Sequence, residues 1–438
     1  MPTFDRRSVI VSGSALLTTG VFATVGSGSA ENDTENSSDA GTDGETEIVT
    51  ESTFNAEPSD GWYSFYANSG STRAVSAANE PSALEGVAWS YGNVEANDGI
   101  AISDGRVYRH DGNDRIHALD AETGSLQWVS PDIGADDGPN LAPVVVGDWV
   151  FVGGEALTAL DADTGAVRWR QWFGEGEEAP SVYQPEFANG LLYVCGDDDE
   201  RLYAVNPDDG SIAWERHSID EIDEGDSLLG RFDTFHAYSL AVTDDAVYAT
   251  VGIDGDTAHV VALDPETGDT LWVSETGWMW QMRPVATDQY VLIHDGNSRE
   301  VLLLDPETGE TVGSVSSRRS TFAADDVLAF ATIGEDQTLR MTNLDTGSDG
   351  SSERWSVDEM RLYSDPVVVG ETVIAITADW NGNEFLKGYR VEDGSEAWCL
   401  HLEDVPQFED DHRVLRDHLA VSDGTVYLGG EDGLFAVR

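Results

Sequence analysis

Apolar residues in this chain come in short runs, broken by glycine and aspartate at regular intervals. Residues 141–172 show the pattern. LAPVVVG reads as a fully buried strand and WVFVGG as a second. ALTALDAD is a third, and a Thr-Gly turn leads into AVRWRQW, a half-exposed fourth. Alternation at period two, bounded by turn residues, predicts short antiparallel strands joined by tight hairpins. The same unit returns at intervals of about forty residues, a spacing that belongs to rings of small sheets.

Each unit carries a fixed motif, Ala-x-Asp-x-x-Thr-Gly-x-x-x-Trp. It is complete at Ala118, Asp120, Thr123, Gly124 and Trp128, at Ala159, Asp161, Thr164, Gly165 and Trp169, and at Ala262, Asp264, Thr267, Gly268 and Trp272. Ala204, Asn206, Gly210 and Trp214 form a copy with Asn for Asp. Leu303, Asp305, Thr308 and Gly309 form one that ends in Gly313 instead of Trp. Leu344, Asp345, Thr346 and Gly347 lead to Trp355 through an insertion, and Gly388, Asp393, Gly394 and Trp398 make a further copy. The last unit, HLAVSDGTVYLGGEDGLFAVR, lacks an outer strand. EGVAWSYG at 85–92 is an outer strand with no inner strands before it. The expected fold is therefore all-β: an eight-bladed β-propeller of four-stranded antiparallel blades, its last blade closed by an N-terminal strand. Closure of this kind removes exposed sheet edges. Trp89, Trp128, Trp169, Trp214, Trp272, Trp355 and Trp398 are expected to dock each blade on its neighbour, burying a large apolar face. The repeated Asp and Thr are turn caps rather than catalytic groups. Blade five, with Gly313, should be the loosest joint.

Composition narrows the partners. The chain has 83 Asp and Glu against 23 Lys and Arg, a net charge of −60, and Lys387 is its only lysine. Such a field repels phosphates, so DNA and RNA are excluded as partners and anionic membrane surfaces are disfavoured. The acids lie along the whole chain, as on halophilic surfaces that stay hydrated and monomeric in concentrated salt. At molar salt the Debye length is ~3 Å, which screens most of the self-repulsion.

The N-terminus reads as a targeting segment. Arg6 and Arg7 precede an apolar run from Val9 to Val25 that ends in small residues. Residues 1–30 are thus expected to be a twin-arginine export signal, residues 31–60 a disordered acidic linker, and residues 61–438 the propeller. Uncleaved, the signal would serve as the only membrane anchor. Asn32 and Asn36 head glycosylation sequons within the linker. The two cysteines, Cys195 and Cys399, fall on opposite sides of the expected ring and should be unpaired, beyond the ~7 Å that a disulfide spans.

The motif resembles the tryptophan-docking element of the pyrroloquinoline-quinone (PQQ) repeat family, and the resemblance covers about residues 61–438. GWYSFYANSGSTRAVSA, Gly61–Ala77, is similar to that family's lead-in before the first blade. The charge and the signal mark a haloarchaeal-type secreted member. The resemblance implies one of two functions. One branch holds quinoprotein dehydrogenases, which bind PQQ and calcium at the ring centre; the other holds noncatalytic, protein-binding propellers of the BamB type. The alcohol-oxidising branch generally carries adjacent cysteines and often a haem domain. This chain has neither adjacent cysteines nor a C-x-x-C-H sequence.

The leading expectation is a noncatalytic, exported, cell-surface or extracellular module that binds a protein, with no cofactor, no metal and no catalytic residues. The alternative is an oxidoreductase using PQQ and calcium. Candidate binding residues lie in connections that leave an outer strand for the next inner strand, and so share one face. They are Trp278, Trp280 and Arg283 in ETGWMWQMRP, then Arg318 and Arg319, and then Leu228, Leu229 and Phe232 in the long 218–236 loop.

Overall fold

A computed structural model describes Phe54 and, from Ala56 to Arg438, all residues except 93–98, 112–113, 135–141, 175–180, 198–199, 221, 223–233, 253–256, 278–282, 318–322, 325–328, 334–338, 345–351, 358–360, 363, 380, 403–413 and 431–432. Among the described residues no helix is long and apolar enough to cross a membrane.

The second blade shows why these sequences make these strands. Val144–Val146 is wholly buried, and Trp149–Val152 and Leu157–Asp161 are buried except at one end. Val167–Gln171, the outer strand, is only half-buried. Burial falls from inner to outer strand, as the change from VVV to VRWRQ requires. The first blade repeats this with Ile100–Ser103, Arg106–His110, Ile116–Asp120 and Leu126–Val129. The third to sixth blades follow in chain order, each starting with its innermost strand. Val87–Gly92 pairs antiparallel with Gly433–Val437 and completes the closing blade.

The blade count differs from the sequence expectation. Among the described residues, seven sheets, not eight, are four-stranded antiparallel blades. One further sheet, between the sixth and closing blades in sequence, has six strands. Its extra members are Arg361–Leu362, drawn from the connection before it, and Ala74–Val75, which runs parallel to Val367–Val369. The segment ahead of the first blade returns into the ring and adds one of these strands, and the preceding connection adds the other.

That leader acts as an internal hoop. Its carbonyls at Trp62, Tyr63, Ser69, Gly70, Arg73 and Val75 accept hydrogen bonds from Ile102, Val145, Val242, Ala286, Val368 and Gly370. Asn79 accepts from Gly424 through its carbonyl and from Asp423 through its amide oxygen. The leader therefore bonds in turn to the first, second, fourth and fifth blades, the six-stranded sheet and the closing blade. Packing extends to Phe54, whose ring meets Trp149, Phe151 and Phe187 edge-on.

The seams follow one geometry. Asp161 Oδ1 accepts from the Thr164 amide at 2.9 Å and its hydroxyl at 2.7 Å, and Gly165 turns at φ +69°. Trp128 from the preceding blade lies over Gly165 and donates from Nε1 to the Ala162 carbonyl at 2.9 Å. Trp89, Trp169, Trp214, Trp272 and Trp355 make the same bond to Ala121, Pro207, Pro265, Pro306 and Val391. Trp398 departs from this. Its ring folds over Gly388 of its own sheet, and its Nε1 has no partner among the described residues. In the fifth blade Gly313 sits opposite Leu303, and Leu292, Leu303 and Leu344 fill the seam with one apolar cluster.

No disulfide joins Cys195, which is buried, to Cys399, which is half-buried.

Candidate functional site

The described residues concentrate unusual chemistry at the ring axis, at the entry ends of the innermost strands. Gln184 and Glu186 stand at the start of the third blade's innermost strand, Glu186–Ala188. Arg283 precedes Val285–Ala286 of the fifth blade, and Asp365 precedes Val367–Val369. The leader supplies Ser64, Phe65, Tyr66 and Arg73.

The leader's own conformation aims these side chains. Ala67, Ser71 and Arg73 adopt φ of +81°, +56° and +51°, a region costly for side chains other than glycine. The loop is held by Tyr63 N–H to the Ala67 carbonyl at 3.0 Å and Arg73 N–H to the Tyr66 carbonyl at 3.0 Å. The Asn68 amide donates to Thr72 Oγ1 at 2.7 Å. The strain persists because so many bonds fix the loop.

Two arginines converge on one ring. The Arg73 and Arg283 guanidinium carbons each lie 4.3 Å from the Tyr66 ring centroid. Arg73 is paired with Asp365 at 2.9 Å, their side chains 4% and 5% exposed. Arg283 Nη1 faces Glu186 Oε1 at 3.4 Å, and Gln184 Nε2 donates to the same oxygen at 3.3 Å. Burial pushes the Glu186 carboxyl up to about 8, against the pull of Arg283, Gln184 and Ser64. Burial also lowers the pKa of Arg283, with Tyr66 and Glu186 opposing. Gln184 Oε1 is buried with no partner among the described residues.

Calcium needs six to eight oxygen ligands, several of them carboxylates. Among the described residues, Glu186 and Asp365 each face an arginine, which repels a divalent cation. The described residues contain no group of three or more His, Cys, Asp or Glu able to hold a metal. A planar quinone needs an open aromatic face, whereas Tyr66 already has two guanidinium groups against it. The described residues therefore do not fit PQQ with calcium.

Of the residues singled out by sequence, Arg283 is described, and it lies inside the ring facing Glu186. Trp278, Trp280, Arg318, Arg319, Leu228, Leu229 and Phe232 lie outside the described residues. Sequence reasoning missed Glu186, Asp365, Arg73 and Tyr66. A signal existed for Glu186: it stands in an innermost strand where the second blade has valine.

Comparison with known proteins places the chain. A family model described as outer membrane protein assembly factor BamB matches residues 112–230 and 256–438, more than half of the chain. The fold is similar to quinohemoprotein alcohol dehydrogenase from Comamonas testosteroni, at TM-score 0.60 and 14% identity, covering 87% of this chain and 81% of that one. It is also similar to BamB from Moraxella catarrhalis, at TM-score 0.55 and 17% identity, covering 81% and 99%. The computationally designed Ika8 protein gives TM-score 0.58 at 17% identity, with the same coverages. At these identities the likeness shows the fold alone. No curated relative matches by sequence.

Proposed function

This chain belongs to the outer membrane protein assembly factor BamB family, and from that premise we propose that it is an exported, noncatalytic propeller that binds a protein partner at or outside the cell surface. The observation that carries this reading is the pairing of Arg283 with Glu186 and of Arg73 with Asp365. Asp365 is committed to Arg73, and Glu186, facing Arg283 and Gln184, is pushed up to about 8 by burial, so neither offers a free carboxylate to a cation. The fold also occurs in an alcohol dehydrogenase, and the alternative reading is an oxidoreductase using PQQ and calcium. The donor set at the axis weighs against it.

The partner would meet the connections holding Leu228, Leu229, Phe232, Trp278, Trp280, Arg318 and Arg319. Large aromatics and arginines are the residue types that carry protein interfaces. The protein would reach this partner as a monomer, by twin-arginine export, with the acidic linker as spacer.

The test is crosslinked capture in high salt by wild type and by Trp278→Ala/Trp280→Ala. The variant should lose most of the captured protein while melting at the same temperature. Equal capture by both would remove this face from consideration.

A further inference from the structure

The two axial arginines are not equally matched. Arg73 meets Asp365 at 2.9 Å. Arg283 Nη1 stands 3.4 Å from Glu186 Oε1, longer than the about 2.7–2.9 Å of a charge-assisted hydrogen bond. Burial also keeps the Glu186 carboxyl protonated up to about 8. At neutral pH, Arg73, Arg283 and Asp365 therefore sum to one positive charge, and it belongs to Arg283.

Two buried polar atoms beside Arg283 are unmet. Glu186 Oε1 receives both Arg283 Nη1 and Gln184 Nε2. Glu186 Oε2 and Gln184 Oε1 are sealed from solvent and have no partner among the described residues. Both residues are more than nine-tenths buried, Glu186 at 1% and Gln184 at 7% exposure. They stand two apart in an extended segment, so their side chains leave the chain on one side. Because Glu186 Oε1 faces two donors, the carboxyl proton belongs on Oε2. The unmet atoms are thus one donor, Glu186 Oε2–H, and one acceptor, Gln184 Oε1. Buried groups of this kind are seldom left without a partner.

We propose that Arg283, Glu186 and Gln184 bind a small monovalent oxyanion that carries its own hydroxyl, bicarbonate being the simplest. Its charged oxygen faces Arg283, a second oxygen accepts from Glu186 Oε2–H, and its hydroxyl donates to Gln184 Oε1. A halide or formate brings the charge without the donor. Arg283 is the most open of the four ionisable side chains, at 11% exposure against 1% for Glu186, 4% for Arg73 and 5% for Asp365, so the anion approaches along it. The site is separate from the connections that would meet a protein partner.

The test is calorimetric titration of the full chain at pH 7 in 1 M KCl, where chloride competes for any bare positive charge. The probes are potassium bicarbonate and, separately, potassium formate. The expected result is one saturable site for bicarbonate, at least tenfold tighter than for formate. Arg283→Gln should weaken both at least tenfold. Gln184→Met should weaken bicarbonate at least tenfold and formate less than twofold, a loss of selectivity that a general disturbance of the fold does not produce. Melting curves establish first that each variant folds. Should either variant fail to fold, the wild type decides alone: its bicarbonate affinity should exceed that for formate and fall about tenfold between pH 7 and pH 9, as Glu186 ionises. No saturable bicarbonate binding, or equal affinity for formate, would overturn the proposal.

Discussion

Trp214 of the third blade lies over Gly268 of the fourth, so close that a Cβ on Gly268 would stand 2.7 Å from the indole Cε3. The same indole donates to the Pro265 carbonyl at 3.0 Å. The glycine of the repeat thus has two duties: it supplies φ +73°, and it leaves the space that the neighbouring tryptophan fills. Gly105 has almost the same φ, +71°, with nothing within 4 Å of its would-be Cβ.

The pair separates backbone from packing. Gly105→Ala should cost about 1–2 kcal/mol from the left-handed backbone alone. Gly268→Ala should cost a further 1–3 kcal/mol or so from overpacking against Trp214. Urea denaturation of both variants checks this; equal losses would mean that the seam tolerates a methyl group.

The fifth blade lacks its indole, and Leu303 fills the space facing Gly313. Gly313→Trp alone should therefore destabilise, because indole and Leu303 compete for one volume. Adding Leu303→Ala should recover much of the loss, with a coupling of about 1 kcal/mol or more for side chains in contact. Additive effects in a double-mutant cycle would contradict this.

Arg73 and Asp365 are a buried pair. Arg73→Leu strands a carboxylate and should cost about 3–5 kcal/mol, whereas Arg73→Leu/Asp365→Leu should restore most of it. Thermal melts of the single and double variants test the pair directly.

Glu186 titrates near 8 in the fold, far above the ordinary carboxylate range. The folded state therefore holds a proton that the unfolded chain releases near 4.3. Its stabilisation is complete below that value and is lost as pH rises through about 8, at up to about 1.4 kcal/mol per pH unit. Glu186→Gln keeps the shape of the protonated carboxyl and should flatten the decline. Melting temperatures from pH 5 to 9 should converge at the acidic end and favour the variant at the alkaline end.

Much of the architecture was legible because its signals are local. Asp161, Thr164 and Gly165 meet within one turn, and Trp128 recurs at a fixed distance from its own turn, so repetition alone exposed the ring. The pairing of Ala74–Val75 with Val368–Val369 joins residues nearly 300 positions apart in the chain. No periodicity announces such a contact, and the count of four-stranded blades failed there. Arg283 stood out as a cation beside aromatics, but its burial depends on Glu186 and Tyr66, which only the ring brings near it. Glu186 was hidden by abundance, one acid among many.

Among the described residues, Glu186 and Asp365 at the axis face arginines and do not fit a metal-bound quinone. Calorimetric titration of the full chain with PQQ in millimolar calcium, in high salt, tests this most directly. The account predicts no stoichiometric heat and no quinone absorbance retained after gel filtration. One-to-one binding that calcium chelation abolishes would contradict it.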